Sequence, residues 1–264
     1  DNLSFFTRLK CKLFYNSSTL FLLRKGENFN ADLNQIAEKF PNEKLIYLPI
    51  EEETTLDFYT YLDSESDTQN IKSLLPKKDT FNLSRNKEFL NIFCEENEIP
   101  CPKLITKSKL ENKDFQFPII VKPKKGSGSI GIVYIDNDKN LSKNDIDFGK
   151  NLVQERLPNP KKVEGGFYLC KNGKILSFYS HQRIRTFPET GGVTVFSKAT
   201  NSEKIKKAGQ KLIEKLNWDG ILMIEYIFDG RDNKYKVIEI NPRMWGSVLL
   251  SEFCEANFLQ KYID

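Results

Sequence analysis

Residues 221–247, ILMIEYIFDGRDNKYKVIEINPRMWGS, constrain the chain more than any other stretch. Two runs rich in β-branched and aromatic residues flank the turn cluster DGRDN, which is the pattern of a β-hairpin. A loop symmetric about Asp232 sets Glu225 directly across from Glu239. Side chains alternate along a strand, so Asn241 and Arg243 share the face of Glu239, while Ile224, Ile238 and Ile240 form the core face. Opposed carboxylates repel each other, and a cation between them removes that cost. Two carboxylates and an amide oxygen are hard ligands, suited to a Mg²⁺ ion that also holds substrate phosphates. An exposed hairpin with scattered charge offers a similar local pattern. Segregation of the acids from the isoleucines weakens that alternative, but the hairpin alone leaves both readings open.

With 264 residues and 39% hydrophobic content, the chain has room for one large domain or two to three small ones. A net charge of +4 argues against a dedicated nucleic-acid binder. No apolar run approaches bilayer length, and the opening DNLSFFTRLKCKLFY lacks the order of a signal peptide, so no membrane partner is expected. Cys11, Cys94, Cys101, Cys170 and Cys254 form an odd set without a CxxC pair. That argues against thiolate metal sites and disulfides, and for a reduced, cytoplasmic protein. The chain begins at Asp1 and ends soon after the hairpin, which reads as a fragment trimmed at both ends.

Residues 1–76 read as α/β: a short strand over 20–23, a helix near 31–40 with Leu33, Ile36, Ala37 and Phe40 on one face, and a strand over 45–50. Strand, helix and strand in this order suggest a parallel crossover. Ser84 is a candidate cap for a helix whose apolar face is Phe89, Leu90, Phe93 and Cys94, ending before IPCP. FPIIVKP, IGIVYI and NLVQERL then read as strands, and GGFYLCKNG with KILSFYSHQRIRTF as a hairpin turning at Asn172 and Gly173. A helix is expected over 202–216.

GSGSIG, from Gly126 to Gly131, matches GxGxxG, but a strand pattern follows where a dinucleotide-binding fingerprint needs a helix. What remains is a glycine hairpin beside Lys122, Lys124 and Lys125, able to lie over phosphates through backbone N–H groups, or a plain turn. Protein kinases use such a loop, but the HRD of their catalytic loop is missing from this chain.

The order of these parts, from IPCP through FPIIVKP, the glycine loop and LVQERL to MIEY…VIEINPRMWGS, resembles the ATP-grasp superfamily and, within it, the carbamoyl-phosphate-synthase-like carboxylate–amine ligases. The match covers roughly residues 75–250. The resemblance implies an α/β, two-lobed fold. Residues 1–76 would be a truncated small α/β domain, and 77–264 the ATP-grasp domain, with a central lobe near 104–157 and a metal-bearing lobe near 158–264. It implies that Lys87 and Lys122 reach nucleotide phosphates and that Gly126, Ser127, Gly128, Ser129 and Gly131 close over them. Gln154, Glu155, Arg156 and Leu157 would form the strand that reads adenine, and Glu164 would meet the ribose. Glu225, Glu239 and Asn241 would hold Mg²⁺, or Mn²⁺ in its place, and Arg243 would steady the transferred phosphoryl group.

Alternation puts Tyr179, His181, Arg183 and Arg185 on one strand face, where the arginines and histidine could hold a carboxylate or acyl phosphate. The loop from Phe187 to Phe196 could line an acceptor site, Lys198 could face the phosphates, and Trp245 reads as packing. The activity implied is ATP-dependent formation of a carbon–nitrogen bond between a small-molecule carboxylate and an amine, through an acyl phosphate. The alternatives are a nucleotide-binding regulatory or scaffold module, and a phosphotransferase of the same fold. A homodimer is compatible with either.

Overall fold

The computed structural model describes residues 21, 23–64, 70–126, 128–142, 144–159, 162–187 and 192–264. The chain divides into two compact units, 1–73 with 259–264, and 74–258. The sequence pattern sets this division after residue 76 and leaves 259–264 in the second unit. In the structure Tyr262 Oη donates to the Tyr47 carbonyl at 2.9 Å, which ties the last residues to the first unit. No helix among the described residues is long and apolar enough to cross a membrane.

The first unit contains α1 (Phe29–Lys39), β1 (Leu45–Ile46), α2 (Glu52–Ser64) and β2 (Ile71–Lys72), with β1 and β2 paired in parallel. Its core is aromatic: Tyr47 stacks on Phe58 at 4.0 Å, and the Phe29 edge meets both rings. The strand expected over 45–50 shrinks to two residues, since Pro49 has no N–H to give a ladder. The strand expected over 20–23 lies partly outside the described residues, and neither Phe21 nor Leu23 is in a strand.

The second unit opens with α3 (Lys78–Arg85) and α4 (Lys87–Glu96). Ser84 does not cap α4, because its hydroxyl is spent on the Phe81 carbonyl inside α3. Asn86 caps it instead, its Oδ1 accepting from the N–H groups of Glu88 and Phe89. This leaves Lys87 as the first residue of α4. After α5 (Lys107–Glu111) come β3 (Ile119–Pro123), β4 (Val133–Ile135), α6 (Asp138–Leu141) and β5 (Asn151–Glu155), which form an antiparallel sheet in the order β4–β3–β5. Ile119, Val121, Ile135 and Val153 fill its small core.

A larger antiparallel sheet, ordered β10–β9–β6–β7–β8, follows from β6 (Val163–Lys171), β7 (Lys174–Phe187), β8 (Val193–Ala199), β9 (Gly220–Asp229) and β10 (Lys234–Asn241). Asn172 and Gly173, with φ of 50° and 70°, make the two-residue turn between β6 and β7. Helix α7 (Glu203–Leu216) is capped by Ser202 and presses Ile205, Leu212 and Ile213 onto one face of this sheet. Tyr168, Leu222, Ile224, Tyr226 and Ile240 meet it there. The opposite face is left for the site. The segment after β7, expected as a loop to Phe196, regains strand structure at Val193, and 188–191 lie outside the described residues. Two short helices, α8 (Val248–Phe253) and α9 (Phe258–Ile263), end the chain.

Candidate functional site

Register across the large sheet assembles the site. Glu239 pairs with Glu225, Glu225 with Gly165, and Gly165 with His181, so one row crosses β10, β9, β6 and β7. The opposition of Glu225 and Glu239 depends on a bulge. Lys234 pairs with Asp229, one residue out of step with a loop symmetric about Asp232, and the ladder shifts between Val237 and Glu239. The extra residue is Ile238. A bulge turns two consecutive side chains to the same side, so Ile238 joins Glu239 in lining the cleft, while Val237 and Ile240 both enter the α7 core. This corrects the expectation that Ile238 belongs to the core face.

The cleft lies between the two sheets, and residues of both line it. Lys87 Nζ lies 3.3 Å from Glu239 Oε1 and also donates to the Gly126 carbonyl, which ties the start of the glycine loop to the acid hairpin. Arg183 Nη2 donates to Glu225 Oε1. Lys122 is 8% exposed, and its Nζ donates to the Ile238 carbonyl at 3.4 Å. Burial pulls the Lys122 amine down to about 8, against the opposing pull of Glu239. Burial, then the facing Glu225, raises the Glu239 carboxyl to about 7, although Lys87 and Lys122 act the other way. The two acids thus repel at a site poor in water, and the side chains of nearby cations partly offset them.

Asn241 is 3% exposed, and its Oδ1 accepts from Arg243 Nη2 at 3.2 Å; Arg243 Nη1 donates to the Met244 carbonyl. Gly126, Ser129 and Ile130 of the glycine loop line the cleft, with Ile130 80% exposed. Gly131 has φ of +78°, and a Cβ there would sit 3.0 Å from Pro123, so this corner requires glycine. Gly128 is described but does not line the cleft, and Ser127 lies outside the described residues. Gln154, Glu155, Arg156 and Leu157 all line it, facing Ile227 and Ile238. The Gln154 amide oxygen is buried without a partner. Arg156 is held by Asp136 at 2.7 Å beside the Tyr134 ring.

Asn241 and Arg243, paired with each other, are not among the residues that line the cleft, and three further expected residues also sit elsewhere. Glu164 points to the α7 side of β6, where it accepts from Tyr235 Oη at 3.1 Å, because the cleft face of β6 belongs to its neighbours Val163 and Gly165. Arg185 is exposed, since ladder shifts on either side of it break the alternation of β7 and turn Thr186 into the cleft instead. His181 is 4% exposed, packed on Phe167 at 4.6 Å and outside the cleft lining. Burial, then the Arg183 charge, holds its imidazole down near 4. Lys198 does not line the cleft, and Trp245 packs on Phe167 and Phe258. Thr186 had no legible signal, because the bulge that turns it inward lacks a glycine marker.

With this geometry in hand, comparison with known proteins identifies its class. The profile of the ATP-grasp domain matches residues 84–247, more than half of the chain, and the chain belongs to that family. The carbamoyl phosphate synthase large chain of Thermoanaerobacter pseudethanolicus is 23% identical over 202 residues, which is 70% of this chain and 19% of that protein. The D-alanine–D-alanine ligase of Petrotoga mobilis is 26% identical over 173 residues, covering 58% of this chain and 55% of the ligase. The chain therefore spans no more than about half the length of these relatives. Among solved structures, the biotin carboxylase–β-γ-ATP complex from Campylobacter jejuni superposes with a TM-score of 0.63 at 14% identity, over 89% of this chain and 56% of that one. The L-amino acid ligase from Bacillus licheniformis gives 0.58 at 16% identity, over 90% and 59%. Both share the fold.

Proposed function

We propose that the chain binds ATP with Mg²⁺ and joins a small carboxylate to an amine through an acyl phosphate. The observation that carries this reading is the opposition of Glu225 and Glu239 in one cleft with Lys87, Lys122 and Arg183. The donor set suits Mg²⁺, or Mn²⁺ with the same ligand chemistry. Glu225, Glu239 and the Asn241 amide supply hard oxygen donors, three in all. That leaves coordination positions for phosphate oxygens and water, which is how Mg²⁺ is commonly held. Bound there, the ion would neutralise charge on the phosphoryl group in transfer.

The chain's own residues would do the rest. Lys87 and Lys122 supply fixed positive charge to the phosphates, and the apolar walls Ile120, Leu157, Ile227 and Ile238 take the base. The glycine loop offers backbone N–H groups and excludes water. Arg183, in the cleft, has the forked donors that a carboxylate or acyl phosphate requires, and Arg243 steadies the Asn241 amide beside it. A substrate carboxylate oxygen attacks the γ-phosphorus, forming the acyl phosphate and releasing ADP. The amine lone pair then attacks the acyl carbon, the carbon–oxygen bond to phosphate breaks, and the amine gives up its proton. No nucleophile from the protein takes part.

The test is ADP release across a matrix of small carboxylates and amines. Release that needs both partners is expected. Release with a carboxylate alone, yielding a stable phosphorylated product, would indicate a phosphotransferase. ATP binding with no release under any pair would indicate a regulatory module.

A further inference from the structure

The turn between β9 and β10 contributes a contact that the acids and lysines do not. Glu155 closes β5, whose end lines the cleft with Gln154, Arg156 and Leu157. Both of its carboxylate oxygens are engaged: the Lys103 N–H donates to Oε1 at 3.0 Å, and Arg231 Nη2 donates to Oε2 at 2.8 Å. Arg231 lies in the hairpin turn and is gripped from below by Asp229. Its Nε donates to Oδ1 at 2.9 Å and Oδ2 at 3.1 Å, and its Nη2 to Oδ2 at 2.7 Å. The Arg231 backbone N–H adds a further bond to Oδ1 at 3.0 Å. Asp229 is 1% exposed, and Lys236 approaches it at 3.7 Å while pairing with Asp232 at 2.8 Å.

An isolated ion pair at the surface adds little. This guanidinium differs, because forked pairing with a buried carboxylate fixes it before it reaches across to Glu155. Asp229 and Glu225 lie on the same face of β9, so the arginine is mounted on the strand that carries one of the opposed acids. The geometry points to Arg231 as a positioning residue: it locks the base-facing end of β5 onto the acid hairpin, so that two sheets meet one nucleotide in register. This assignment rests on the proposed nucleotide site.

Titration calorimetry with ATP and with GTP, on the wild type, Arg231→Met and Arg231→Lys, tests it. The wild type is expected to prefer ATP. Arg231→Met removes the bond to Glu155 together with the fork on Asp229, and should weaken ATP about tenfold while leaving GTP unchanged. Arg231→Lys, a point charge without the fork, should recover part of the loss, and both variants should keep the wild-type circular dichroism spectrum. Equal ATP affinity in wild type and Arg231→Met overturns the assignment, as does an equal loss for ATP and GTP, which marks general destabilisation. A wild type that binds both nucleotides alike removes the base-reading role of β5 on which it depends. A wild type that binds neither defeats the nucleotide site itself.

Discussion

Two strands of the large sheet, β10 and β7, each carry charged residues of the candidate site, and irregular register acts on them in opposite ways. On β10 a bulge at Ile238 brings Glu239 into step with Glu225 and turns an isoleucine into the cleft. On β7 the shifts around Arg185 remove that arginine from the face it would share with Arg183 and substitute Thr186. Strict alternation predicts a face only between bulges, since one extra residue exchanges every side chain beyond it. The bulge on β10 aligns the acids, whereas the shifts on β7 leave one guanidinium in the cleft where the pattern promised two.

The largest test of this contrast is on the acids. Glu239→Gln and Glu225→Gln should each lower Mg²⁺-dependent ADP release by on the order of 10³-fold, the scale of losing a key electrostatic group, with the circular dichroism spectrum retained. Next come the arginines. Arg183→Met should lower release by roughly 10²-fold, while Arg185→Met should stay within about twofold, because only Arg183 reaches Glu225. Equal effects would mean that β7 alternates after all.

The smallest effects concern stability, and the two strands should differ in sign. Buried His181 titrates near 4 against 6.5 when free, so below pH 6.5 the unfolded chain binds a proton that the folded chain refuses. Its contribution is present above pH 6.5 and is lost as pH falls towards 4, by up to about 3 kcal/mol. Glu239 titrates near 7 against 4.5, so the folded chain holds the extra proton, and stability falls as pH rises from 4.5 to 7. Urea unfolding between pH 4 and 7 should show a slope that steepens upward with pH in Glu239→Gln and turns downward in His181→Phe. Identical slopes in the two variants would contradict the burial of either group.

The elements most legible in the sequence were those with a single strong determinant. Asn172–Gly173 set a hairpin, and Ser202 with a long apolar stripe set α7. The facing of Glu225 and Glu239 was expected from a loop symmetric about Asp232, which the hairpin does not have; the bulge at Ile238 restores it, and Ile238 looks like any core isoleucine in sequence. The cap of α4 was misplaced by two residues because Ser84 and Asn86 are equally able caps, and only the fold spends the Ser84 hydroxyl on Phe81. The ribose role of Glu164 came from the family resemblance alone, and its face depends on where β6 begins, which a loop of prolines and lysines does not encode. The Arg231–Glu155 contact joins residues 76 positions apart and had no local signature.

The most direct measurement is ATP affinity by calorimetry with and without Mg²⁺, in the wild type and in Glu239→Gln. The account predicts that Mg²⁺ tightens ATP binding strongly in the wild type and hardly at all in the variant, which should still bind metal-free nucleotide. Equal tightening by Mg²⁺ in both proteins would contradict the assignment of the acid hairpin as the metal site.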